Sequence, residues 1–385
     1  MVHWAQIDPQ RMVTAFDLWF ESDMPRIADT LTDRTSYLHV RTTVHPLTSL
    51  LLCSPFVALH AAGVDTATVV RIFVGMGAFI FSGLLFVTLR VLRLRRIDAG
   101  LVVALVCTSA AGVHWLSTPE NFAWGASSIL IAILWLAVPR GAHDVWSGPL
   151  QAATTLAITV TNGVAGLIAA VLALGVRRGL QAATAGFLII AILTPLQYAI
   201  YPTAGRFLNF RGEGKFSVLE TGGAAIAPIK RLVGLSAHVV AAPRALVVAQ
   251  NEARAPYKLS YQTLDVVRGP AGVITLAGWT LLLTLGIWAA LKEHVSPQVS
   301  IAVGLMIAAN VCLHLVYGEE VFLYALHFAC LYAVVAAWAC LTLRKVAVPI
   351  LLVTVVASHL HNSAQFSEVA RIVNSGRLAA HQTHP

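Results

Sequence analysis

The chain has 385 residues, of which 57% are hydrophobic and 11% charged, with a formal net charge of +8. A mean hydropathy of +0.75 excludes a soluble globule, whose charged fraction is typically about 25%, and implies an all-α polytopic membrane bundle. The positive charge does not imply nucleic acid, because the bases are dispersed over short loops and one long segment instead of forming a single patch.

Residues 1–65 precede the first long apolar run and contain two short features, SDMPRIA at 22–28 and VHPL at 44–47. The stretch 46–62 is apolar but only about 17 residues long, and Pro55 removes a backbone donor within it. A juxtamembrane helix at the outer surface is predicted there.

A hydrocarbon core of about 30 Å needs roughly 20 helical residues. Full spans are predicted at 66–92, 99–116, 122–138, 180–200, 271–291, 299–317, 321–343 and 346–360, the last being short. The stretch 149–176 is too long for one span and carries Thr159, Thr161, Asn162 and Gly163 in its middle. It reads as two short helices meeting at a polar tip, a break tolerated only against protein or a water-filled cavity.

Basic residues fall at alternate turns: Arg90, Arg93, Arg95 and Arg96, then Arg140, then Arg177 and Arg178, then Lys292, then Arg344 and Lys345. The intervening turns at 117–121, 162–163 and 318–320 contain no Lys or Arg. Because short cytoplasmic loops collect these residues, the first set is expected inside. Residues 1–65 and the basic segment 201–268 are then outside, with membrane-embedded units at 66–200 and 269–360 and a tail at 361–385. No basic start followed by a short apolar stretch precedes Leu47. A transmembrane helix upstream, lost through a misplaced start codon, is therefore expected, with unusual tail translocation as the alternative.

Segment 201–268 carries nine bases against four acids. One reading is a solvated loop touching lipid headgroups. The other is a phosphate clamp in which Arg206, Arg211 and Lys215, from GRFLNFRGEGKF, neutralise a lipid-linked phosphate. Residues 224–249 are apolar with Lys230, Arg231, His238 and Arg244 interspersed, which suits an interfacial helix.

Within the bundle, Asn310, His314 and Tyr317 recur at i, i+4 and i+7, and Glu320, Tyr324 and His327 repeat that spacing. Such polar faces either border a substrate pocket or bond neighbouring helices. Glu319 and Glu320 could bind a divalent metal ion or sugar hydroxyls. The five cysteines all lie in apolar segments without a Cys-x-x-Cys pair and read as core residues. There is no Walker loop, Gly-rich nucleotide fingerprint or nucleophile elbow, which argues against a nucleotide-sugar donor.

Several of these pieces resemble the GT-C superfamily of membrane glycosyltransferases, including its protein mannosyltransferase and aminoarabinose transferase branches. DMPRIA at 23–28 is similar to the acidic DEPRYA motif of that superfamily's first outer loop. HPL at 45–47 is similar to its (H/P)PL tripeptide. The Arg-Arg ending at 92–96, PENFAWGA at 119–126 and, loosely, FLYALHFACLY at 322–332 match further motifs. Met24 replaces the second acid of the DE pair, and the carboxy-terminal arginine is absent. The resemblance implies a polyprenyl-phosphate sugar donor, a cell-envelope glycan, lipid or protein as acceptor, and an active cleft at the outer face.

Inverting transfer passes through an oxocarbenium-like transition state, so it needs a base for the acceptor hydroxyl and positive charge on the departing phosphate. Asp23 is the first choice for the base, against an ordinary loop acid or cap; Asp17, Glu21, Asp29 and Asp33 compete. Arg26 would orient Asp23 or contact phosphate, or form a plain surface ion pair. His39 and Arg41 are weaker candidates, and His45, restricted by Pro46, could aim its ring into a cleft. The rival functions are a secondary transporter or lipid flippase using the broken hairpin, and an inactive relative.

Overall fold

The computed structural model describes residue 6 and residues 18–139, 145–209, 227–249, 257–267, 269–292, 295–318 and 320–375. Helices take up 78% of the described residues. One antiparallel hairpin, β1 Leu246–Ala249 with β2 Tyr257–Ser260, is the only sheet among the described residues.

The chain enters through α1 (Met24–Thr32) and a 3-10 segment, Tyr37–Thr43. The predicted juxtamembrane helix is split into a π turn, Ser49–Cys53, and α2 (Ser54–Ala61). Pro55 falls where the π turn passes into α2, and it contributes no N–H to the ladder there. Gln197, fully buried in a later helix, fixes this turn by donating to Pro46 O at 2.8 Å and accepting from Leu50 N at 3.2 Å.

The long helix α3 (Thr66–Val91) matches the first predicted span. The second does not form as one helix: α4 (Arg96–Thr108) and α5 (Ala110–Trp115) are separated at Ser109, which adopts extended backbone. Its hydroxyl accepts from Gly112 N at 3.1 Å, so this serine caps α5 instead of continuing α4. Next comes α6 (Phe122–Ala137), with 16 residues and thus about 24 Å of rise.

The broken hairpin forms where the polar residues predicted it. Helix α7 (Ser147–Ile158) stops at the extended residue Thr159, a 3-10 turn spans Val160–Asn162, and α8 (Gly163–Leu174) returns. Gly175, at φ +82°, then reverses the chain into α9 (Val176–Ile200).

The expected interfacial helix is α10 (Ala227–Val240), which packs against the bundle with Arg231, Leu235, His238 and Val239 buried. After the β-hairpin come α11 (Gly269–Leu291), α12 (Pro297–Val316), a 3-10 turn at Val321–Tyr324, α13 (Ala325–Thr342) and α14 (Arg344–Ser375). The last helix runs well past residue 360, so much of the expected tail is helical. Phe366, Val369, Ala370 and Val373 supply a buried stripe at helical spacing.

Among the described residues, six stretches are long and apolar enough to cross a bilayer: α3, α9, α11, α12, 321–342 and α14. The chain is a multi-pass membrane protein by that measure. Burial sorts the six sharply. The 321–342 stretch is 89% buried and the other five 28–39%. Helix α13 is apolar on every side and rich in alanine, so it takes the centre, where small side chains let α4 and α11 approach closely. The outer helices turn large apolar groups outward, Phe79, Ile192, Val356 and Leu360 each being more than half exposed, as a lipid-facing surface requires.

The loops fall at two ends. One end gathers α1, the 117–121 turn, the hairpin tip, the β-hairpin and the 317–324 connection. The other gathers residues 92–95, 138–139, 175, 295–296 and 343. There Asp98, buried, takes a two-pronged hydrogen bond from Arg344 at 2.8 and 3.0 Å.

Candidate functional site

Asp23 stands at the N-cap of α1, yet its carboxylate does not cap the helix. It accepts instead from Arg26 Nε at 3.0 Å, one turn on, while the Asp23 N–H donates to Glu120 Oε1 at 2.6 Å. The second Glu120 oxygen accepts from Asn121 N at 3.1 Å and lies 3.5 Å from an Arg26 terminal nitrogen. A guanidinium is thus set between two carboxylates.

The three side chains differ in exposure: Arg26 9%, Glu120 4%, Asp23 35%. Burial opposes the Arg26 charge, but Asp23 and Glu120 outweigh it and hold its pKa above the ordinary value. Burial, with the Asp23 charge beside it, pushes Glu120 above the usual carboxylate range despite Arg26. Asp23 Oδ1 has no hydrogen-bond partner among the described residues, and the side chain is 35% exposed.

Glu120 is the residue that reading the sequence left without a role. Its signal was an acid in a short turn between two apolar runs, where a buried charge is costly and needs a reason.

His45 lies beside this triad. Its Nδ1–H donates to Ile158 O at 2.9 Å and lies 3.0 Å from Thr159 Oγ1, joining the entry segment to the hairpin tip. Burial, then Arg26 and Arg41, push its pKa down to about 3, so the ring is neutral near pH 7. Arg26, His39, Arg41, His45 and Asn121 border a cavity of about 20 Å³, room for roughly one water. Arg206 is exposed next to Gly205, whose backbone bonds His39 O and Thr42 Oγ1, so it belongs to the same end. Arg211 and Lys215, the other two residues of the expected clamp, lie outside the described residues, as do Asp17 and Glu319.

The predicted Glu320, Tyr324 and His327 face does not form as one helical stripe. Glu320 precedes the 3-10 turn, and α13 begins only at Ala325. Its carboxylate accepts from Ser260 Oγ at 2.5 Å and Phe322 N at 3.2 Å, and its N–H donates to Glu21 Oε2 at 3.1 Å. Glu320 is therefore committed to holding the β-hairpin and residue 21 against the bundle. Tyr324 stacks on His314, ring centroids 3.7 Å apart. Of the other trio, Asn310 bonds its own helix at Met306 O, and Tyr317 is the extended residue ending α12. His327 packs on Phe122, and its Nε2 is buried without a hydrogen-bond partner. Asn162, from the hairpin tip, donates to Gly125 O at 2.9 Å and Ser128 Oγ at 3.1 Å in the same region.

Among the described residues no group of three His, Cys, Asp or Glu could hold a metal ion, and Glu319 lies outside them. Asp23 and Glu120 already share Arg26 as their counter-ion.

Searches against protein-family models, curated proteins and solved structures return no match to this chain.

Proposed function

We propose that this protein is a membrane glycosyltransferase that moves a sugar from a polyprenyl-phosphate donor to a cell-envelope acceptor at the outer face. The observation that carries the reading is the Asp23 carboxylate, oriented by a buried arginine at 3.0 Å and unpartnered on its other oxygen among the described residues. In the reaction, Asp23 takes the proton of the acceptor hydroxyl as that oxygen attacks the anomeric carbon. The bond from this carbon to the phosphate oxygen breaks, and the phosphate leaves with the electron pair. Arg206, exposed at the same end, meets that charge, joined in the proposal by Arg211 and Lys215. Arg26 positions Asp23, and neutral His45 borders the acceptor's path.

The test is incubation of the full chain with radiolabelled polyprenyl-phosphate sugars, comparing wild type with Asp23→Asn. Transfer should fall by about 100-fold or more in the variant, the usual scale of general-base loss, while binding of polyprenyl phosphate is kept. Equal transfer by both proteins would remove Asp23 from the chemistry.

A second reading, a transporter or flippase, rests on the broken hairpin and on His327 Nε2, buried beside it without a partner. Substrate movement in proteoliposomes without sugar transfer would favour that reading over the first.

A further inference from the structure

Asp23 follows directly on a turn that its own residues do not favour. The Ser22 N–H donates to Trp19 O at 3.0 Å, closing four residues with Phe20 and Glu21 in the middle. Those two lie at φ +52° and +60°, and among the described residues they are the only adjacent non-glycine pair with positive φ. Positive φ at both central positions is the type I′ pattern, which Asn and Gly adopt easily and a bulky Phe resists. Such backbone persists only where the surrounding structure over-determines it, and it gathers at functional sites.

Two grips hold this turn. Phe20 is fully buried among His114, Trp115, Tyr261 and Phe322, its ring centroid 4.4 Å from that of Tyr261. Glu21 is held by charge: Oε1 accepts from Lys258 Nζ, and Oε2 accepts from Glu320 N at 3.1 Å. The Lys258 and Glu21 side chains are 14% and 16% exposed, so their attraction is less screened than that of a surface pair. Ser22 is fully buried and its hydroxyl has no hydrogen-bond partner, so it adds no side-chain anchor of its own. Leu259 N, next to Lys258 on β2, donates to Leu18 O at 2.9 Å and ties the strand to the residues entering the turn. Strand β2 thus grips the turn on one side, while Glu120 takes the Asp23 N–H on the other.

We infer that Lys258 is a positioning residue for Asp23. It acts through Glu21: the ion pair keeps the disfavoured turn closed, and the closed turn sets the Asp23 carboxylate against Arg26. Without the pair the turn relaxes toward negative φ and Asp23, two residues on, moves with it. The inference rests on the function proposed for Asp23, and its test is split so that the two can fail separately.

In the polyprenyl-phosphate-sugar transfer assay on the full chain, Lys258→Met should lower kcat by about 10- to 100-fold, the scale of a misplaced catalytic group, with the donor KM kept within about twofold. Lys258→Arg, which keeps the charge, should recover most of kcat. Glu21→Gln combined with Lys258→Met leaves no buried charge unpaired and should show the same fall, which covers the case of a single variant that melts early. A second readout needs no activity. In a cysteine-free background, Asp23→Cys should react with an impermeant thiol reagent about threefold faster once Lys258→Met is added, and no faster with Lys258→Arg. An unchanged kcat, an equal loss in Lys258→Arg, or an unchanged labelling rate would each overturn the proposal. If wild type transfers no sugar, the function proposed for Asp23 fails on its own, and the labelling rates alone decide whether Lys258 positions residue 23.

Discussion

A β-carbon added at Gly125 would come within 2.5 Å of His327 Nε2, closer than packed atoms allow. Gly125 sits in α6 where the hairpin tip docks, and its own carbonyl accepts from Asn162. The absent side chain is thus what lets a histidine, a helix backbone and the hairpin tip share one small volume. Gly125→Ala should destabilise the protein by about 1–3 kcal/mol, the usual cost of overpacking a dense core. Adding His327→Ala should recover part of that loss in thermal melts, because the two sites are in contact. Strictly additive effects would show that the contact is not made. The same logic of close neighbours explains Asp23: what distinguishes it from Asp29 and Asp33 is the buried Arg26 and Glu120 around it. Asp29 and Asp33 instead accept from the hydroxyls of Ser36 and Thr35, as loop acids do.

Among the elements, the β-hairpin is the addition that an all-helical reading omits. It is tied down by Ser260 and Lys258, which donate to Glu320 and Glu21, and by Leu259 N, which donates to Leu18 O at 2.9 Å. Glu320 is 1% exposed, and burial, with Glu21 adding its charge, pushes its pKa up to about 7 from the ordinary 4.5. The folded state therefore holds this proton more tightly than the unfolded chain. The resulting stability is complete below about pH 4.5, falls as pH rises toward about 7, and levels off above that. Glu320→Gln should flatten this part of the stability profile, measured by thermal melts across the interval. A slope unchanged in the variant would show that another group sets it. The hairpin tip at Thr159–Asn162 behaves differently, since its polar groups are neutral and bonded to α6 and His45, and no titration is expected from it.

At the scale of the whole molecule, basic loops and base-free turns lie at opposite ends of one bundle, with α13 as its axis. In a cysteine-free background, Thr35→Cys and Pro202→Cys should react with an impermeant thiol reagent from one side of sealed vesicles, and Arg95→Cys and Arg178→Cys from the other. All four are exposed positions, so failure to react reports sidedness. Labelling of all four from one side would contradict the bundle. The amino-acid sequence alone determined the membrane as solvent, most of the long helices and the break at 159–163, because hydropathy and helix-breaking polar residues act within a few residues of chain. It also pointed to Asp23 and Arg26, which are one helical turn apart and so are neighbours by local geometry. Tertiary structure decided the rest. Glu120 joins Asp23 across 97 positions of sequence, and Glu320 turns to a hairpin 60 positions away. These outcomes depend on which buried donor meets which acceptor, and that is fixed only when distant segments pack.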